Sequence, residues 1–263
     1  MKKQTKLITT SLVAAMLILP LSGCGQSATN APASQPQTQT QTEKTEKVEQ
    51  KSSLQDSKYV AGRYLSYIYD AKTAEIKDVT GESTSSFKEE QKKFFYDRVG
   101  TVTPIEYPLV IEYQGFSELY TPEKIKSEYA TAMVKYFEQV SDYKVIDSKE
   151  SDNGAEVTVE VKGLAMNALA NQANSYMDSL IGFDQNLALS KYPSDLTQKA
   201  NAVLQFWAMG ELFQQGNKAP MLKNSHTFTM YLEKDNKGNY QATEDTMSDV
   251  YSGSKLDTYE DGK

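Results

Sequence analysis

Few side chains in this 263-residue chain could serve as nucleophile, general base or soft metal ligand: it has one cysteine, Cys24, and one histidine, His226. A Ser-His-Asp triad would have to use His226, and no Gly-x-Ser-x-Gly elbow accompanies it. Beside Thr227, at the start of an alternating segment, His226 reads as a turn or edge residue. Zinc would find one imidazole and no free thiolate, which leaves carboxylates, and those suit calcium or magnesium better. Asp235-Asn236-Lys237-Gly238-Asn239 has a superficial likeness to a calcium loop. It lacks the alternating oxygen ligands and the distal glutamate, so a hairpin turn is the expectation. Asp245 and Asp249 share a helix face, as do Glu89 and Lys93. Paired carboxylates perform acid and base work only where burial separates their pKa values, and on an acidic chain such pairs coat a wet surface. Neither a phosphate loop nor a dinucleotide fingerprint occurs. The expectation is therefore no catalytic residue, no metal and no cofactor.

Cys24 has a different use. It follows a basic start (Lys2, Lys3, Lys6), an apolar run from Leu12 to Leu21, and the small pair Ser22-Gly23, the pattern of an exported precursor whose cysteine is lipid-modified. The run is shorter than the roughly 20 residues that span a bilayer, and Pro20 interrupts it. Leu21, Ser22, Gly23 and Cys24 resemble, position by position, the lipobox of bacterial lipoproteins. That resemblance implies a diacylglyceryl group on the Cys24 thiol, removal of residues 1–23, and a chain held at the extracytoplasmic face of the cell membrane. Two or more acyl chains give stable attachment where one gives only marginal binding. With its cysteine so used, the folded part has no thiol for a disulfide or a nucleophile.

Residues 24–56 carry the lipidated cysteine and a Gln/Thr/Ser/Pro-rich stretch that includes Gln35-Pro36-Gln37-Thr38. Such composition buries too little apolar surface to offset chain entropy and reads as a disordered tether. The net charge of −7 at pH 7 repels nucleic-acid phosphate, so no nucleic-acid partner is expected.

Periodic segments begin at Asp56 or Ser57, either of which suits a helix cap. Val60, Tyr64, Tyr67 and Ile68 fall at helical spacing, and Phe87 to Val99 reads as a second helix with Phe94 and Phe95 in the core. Leu109-Val110-Ile111 is either a short strand or an apolar plug. Thr121-Pro122-Glu123 opens a third helix with a cap, a proline at its first position and an acidic first turn. The period then changes: Tyr143, Val145 and Val157, Val159, Val161 alternate around Asp152-Asn153-Gly154, a hairpin signal. Leu164–Leu180 and Leu196–Phe213 read as helices. A second hairpin follows, with Phe228, Met230 and Leu232 on one side and Tyr240 on the return, then a helix from Glu244 to Tyr251. The expected fold is α+β: helices packed on a curved antiparallel sheet, with a helical insertion between the hairpins, forming one domain over 57–252 before an acidic flexible tail at 253–263.

The order of helical block, Tyr143-Lys144-Val145 strand, Val157 to Val161 strand, helical excursion and Thr227 to Leu232 strand resembles an uncharacterised lipoprotein domain of Gram-positive bacteria. That domain is similar in outline to the nuclear-transport-factor-like cone. The resemblance brings no catalytic residues, and the long helical insertion departs from the compact cone.

Seventeen tyrosines, clustered at Tyr59, Tyr64, Tyr67, Tyr69 and at Tyr107, Tyr113, Tyr120, either line a binding surface or fill the borders of the core; core is the favoured reading, as it is for Trp207. The functional expectation is a non-enzymatic binding or interaction module, membrane-bound through its lipid, whose partner is a peptide, a cell-wall component or a membrane protein. The alternatives are a cavity-type enzyme acting on a small apolar compound and an accessory substrate-binding subunit of a transporter.

Overall fold

The computed structural model describes residues 53–70, 76–102 and 105–256. Leu21, Ser22, Gly23 and Cys24, the signal segment and nearly all of the tether lie outside the described residues. The chain is α+β, as its periodicities imply.

Helix α1 (Ser57–Asp70) starts where the Asp56 Oδ1 accepts the backbone N–H groups of Lys58 (2.9 Å) and Tyr59 (3.3 Å), relieving donors that a helix start leaves unpaired. Its inner face, Val60, Ala61, Tyr64, Leu65, Ile68 and Tyr69, is sealed from solvent. After α2 (Ile76–Thr80), α3 (Thr84–Val102) runs longer than its apolar spacing suggests, with Phe87, Phe95 and Val99 buried. Leu109-Val110-Ile111 resolves as a strand: β1 (Leu109–Tyr113) pairs with β2 (Phe116–Tyr120). The two-residue turn between them puts Gln114 at φ 45° and Gly115 at φ 81°, the mirror-image turn whose twist matches a hairpin. Helix α4 (Pro122–Phe137) begins as expected, with Thr121 accepting the Lys124 N–H and Pro122 at the first position.

The main sheet has the order β3-β4-β6-β7, with β3 (Tyr143–Glu150), β4 (Gly154–Val161), β6 (His226–Lys234) and β7 (Tyr240–Gln241) all antiparallel. A register shift between Val145 and Asp147 bends β3. On β4, Val157, Val159 and Val161 are fully buried on one face, against which α1 packs. Between β4 and β6 lies the insertion: β5 (Leu164–Ala165), α5 (Met166–Ser179), α6 (Gln185–Ala188) and α7 (Thr197–Gln214). Helix α7 lies against both α4 and α5, and its Trp207, 1 % exposed, is surrounded by Tyr120, Tyr176 and Phe183.

Helix α8 (Glu244–Gly253) opens with a reciprocal cap between Thr243 and Thr246 and covers the part of β6 that the short β7 leaves bare. The Tyr231 N–H donates to Asp249 (3.0 Å), and the Tyr231 carbonyl accepts the Thr246 hydroxyl (2.6 Å). Lys255–Leu256 forms β8, parallel to β5. Ordered structure thus passes four residues beyond the boundary expected at 252, and Ser254, assigned by sequence to the tail, is fully buried.

Candidate functional site

The sequence-level candidates separate in space. His226 opens β6, with its Nε2 2.6 Å from the Gly253 carbonyl oxygen, and Nδ1 is buried with no hydrogen-bond partner. That bond ties β6 to the end of α8, the role of a structural edge residue. Asp235 accepts the N–H groups of Lys237 and Asn239 (both 2.8 Å) and the Asn239 side-chain amide (3.2 Å). Those bonds, chiefly from the Asn239 backbone, hold its carboxyl below the usual range and organise the turn to Gly238. Asp249 serves the Tyr231 backbone rather than pairing with Asp245. Lys93 pairs with Asp97, while Glu89 faces Lys92 at 3.7 Å. Among the described residues no group of three or more histidine, cysteine or acidic side chains is arranged to hold a metal ion. The tyrosine clusters are mostly core: Tyr64, Tyr67, Tyr69 and Tyr120 are buried, whereas Tyr59 is 41 % exposed.

What the fold assembles instead is an aromatic cleft of about 180 Å³ where α3, α4, α7 and the end of α8 converge. Helix α3 contributes Phe94, Phe95 and Val99, α4 contributes Tyr129, α7 contributes Phe206, and α8 contributes Tyr251. Behind the cleft the rings lock together. Phe95 lies 5.7 Å from Phe137 and 4.6 Å from Tyr251, and Tyr129 lies 4.8 Å from Phe206. The Tyr251 hydroxyl accepts a hydrogen bond from the buried Gln91 amide (2.5 Å), and burial raises its pKa well above the ordinary value. Phe94, expected in the core, is only half-buried. Its ring carries the Arg98 guanidinium 5.2 Å from the centroid, and Arg98 also donates to the Ser248 hydroxyl (3.4 Å).

Next to the cleft, and sharing Phe94 and Arg98 with it, is a wider depression of about 670 Å³. Its other walls are Glu82, Glu90, Lys93, Asp97, Glu244 and Met247. Partial burial, then the Glu82 and Glu244 carboxylates, raise the Glu90 pKa. Sequence reading did not single out Glu82, Glu90 or Glu244. The signal for one wall was present, since Glu90, Phe94 and Arg98 recur at intervals of four on α3 and so share a face. Glu82 and Glu244, 162 positions apart in the chain numbering, meet only through folding.

No protein-family model and no curated protein matches the chain. Among solved structures it is similar to a candidate lipoprotein, ycdA, from Bacillus subtilis, with a TM-score of 0.45 and 15% identity over 78% of this chain. The likeness spans 57% of that protein's length. Among the described residues no helix is long and apolar enough to cross a membrane.

Proposed function

We propose that the protein is a lipid-anchored, extracytoplasmic binding module. Cys24 holds it to the cell membrane, and the aromatic cleft between α3, α4, α7 and α8 takes an apolar side chain of a peptide, a wall component or a membrane protein. The observation that carries this reading is the cleft itself. Folding sends most large apolar side chains inward, yet Phe94, Tyr129 and Phe206 are left partly uncovered around one concavity. Open apolar concavities with a few polar groups are where ligands bind. The protein works by display rather than by chemistry of its own: attachment to the bilayer raises local concentration, and about 30 tether residues bound the volume that the domain searches.

Two measurements test the proposal. In cells supplied with a fatty-acid label, the wild-type chain takes up label and fractionates with membranes, and Cys24→Ala does neither; label on the variant refutes the anchor. In solution, with the Cys24→Ala chain, neutral N-acetylphenylalaninamide shifts the resonances of Phe94, Tyr129 and Phe206. Adding Phe206→Ala weakens that binding about ten-fold, the order expected from losing one buried aromatic contact. Shifts scattered over the surface, or an affinity indifferent to Phe206, refute the cleft.

A further inference from the structure

We propose that the cleft and the depression beside it form one bipartite site for a basic–apolar peptide segment, with the apolar side chain entering the cleft and a lysine or arginine two residues away entering the depression. This rests on the binding reading above and specifies its ligand.

The geometry supplies the spacing. Glu90 and Phe94 are one helical turn apart on α3, about 6 Å along the axis. Alternate side chains of an extended peptide lie about 7 Å apart on one face, so a Phe-x-Lys segment laid along α3 matches both compartments. Phe94 and Arg98 line both compartments, so the two are adjacent.

The charges supply the sign. Two cations reach the depression, and both have partners: Lys93 is paired with Asp97, and Arg98 lies over Phe94 and donates to Ser248. Glu82, Glu90 and Glu244 form no ion pair among the described residues. Glu82 and Glu90 line the same depression, and one Glu82 oxygen, Oε2, is buried with no hydrogen-bond partner. Neighbouring carboxylates repel, and an ammonium with its three donors satisfies both at once. Partial burial, then the Glu82 and Glu244 carboxylates, raise the Glu90 pKa, and the cation binds the ionised form, so binding weakens as pH falls into the range where Glu90 protonates and releases protons only within that range.

The test uses the Cys24→Ala chain and three blocked tripeptides, acetyl-Phe-Ser-Lys-amide and its Gln and Glu counterparts, titrated by calorimetry in buffers of different ionisation enthalpy. The Lys peptide binds about five-fold tighter than the Gln peptide, the size of one exposed charge pair, and the Glu peptide binds weakest. At a pH within the titration range of Glu90, protons are released with the Lys peptide alone, and Glu82→Gln with Glu90→Gln erases the preference while leaving binding of the Gln peptide intact. The preference is read first on unsubstituted acidic residues, so it does not depend on the variant folding. Equal affinities that all fall with Phe206→Ala overturn the bipartite site and leave the cleft standing. Preference for the Glu peptide overturns it in favour of Arg98 and Lys255, both of which line the cleft, as the charge readers. Binding of all three that ignores Phe206 overturns both readings.

Discussion

At the scale of single residues, the most consequential polar contact is the one that joins α3 to α8 inside the aromatic cluster. Gln91 is 2 % exposed and Tyr251 1 %, so the bond from the Gln91 amide to the Tyr251 hydroxyl has no water to replace it. Tyr251→Phe strands a buried amide N–H and is expected to cost about 1–3 kcal/mol in urea unfolding. Pairing it with Gln91→Leu removes both partners and recovers most of that loss; a double variant as unstable as the sum of the singles would show that the two side chains act independently. Sequence inspection picked out Tyr251 as the end of a helix but passed over Gln91, because a glutamine in an otherwise charged helix looks solvated. Only the fold reveals that position 91 points between rings. His226, conspicuous as the single histidine, has a local task, a bond to the Gly253 carbonyl.

At the scale of elements, two glycines separate propensity from packing. Gly62 sits inside α1 with nothing within 4 Å of the place a Cβ would occupy. Gly62→Ala should therefore raise stability by about 0.5–1 kcal/mol through lower chain entropy. Gly163 follows β4 where the chain end passes over it, and a Cβ there would lie 1.9 Å from the Ser254 carbonyl oxygen. Gly163→Ala has to push β8 away from β5 and should lower the melting temperature, with increased amide exchange at Leu164, whose N–H bonds to that same oxygen (2.9 Å). Unchanged melting would mean that the β5–β8 pairing contributes nothing to the fold. Helix starts at Asp56, Thr121 and Thr243 were readable or nearly so, since caps are local chemistry. The β1–β2 hairpin was half legible: Gln-Gly is not a customary mirror-image turn pair, and Gln114 adopts a positive φ at some cost.

At the scale of the whole molecule, the tyrosine excess becomes a stability property. Burial pushes Tyr67 and Tyr136 up to about 12 and raises Tyr64, Tyr69 and Tyr251 as well, against an ordinary value of about 10. Because the folded values are raised, stability is fully present below pH 10 and is lost as the unfolded chain ionises while the folded one does not, between pH 10 and 12 and beyond. A pH titration should therefore show the buried tyrosines' share of the tyrosinate absorbance rising together with loss of the dichroic helix signal in that window; full tyrosinate absorbance with the helices intact would place these hydroxyls in contact with water. The sequence by itself determined the fold class, the strand and helix periods and the hairpin at Asp152-Asn153-Gly154, because each is written in neighbours a few positions apart. Tertiary structure alone decided that Phe94 lines a cleft, that Glu82 and Glu244 face Glu90, that Asp249 closes the edge of β6, and that Lys255–Leu256 belongs to the domain. These depend on contacts between segments far apart in the chain, and no local pattern encodes which distant surface a helix face will meet.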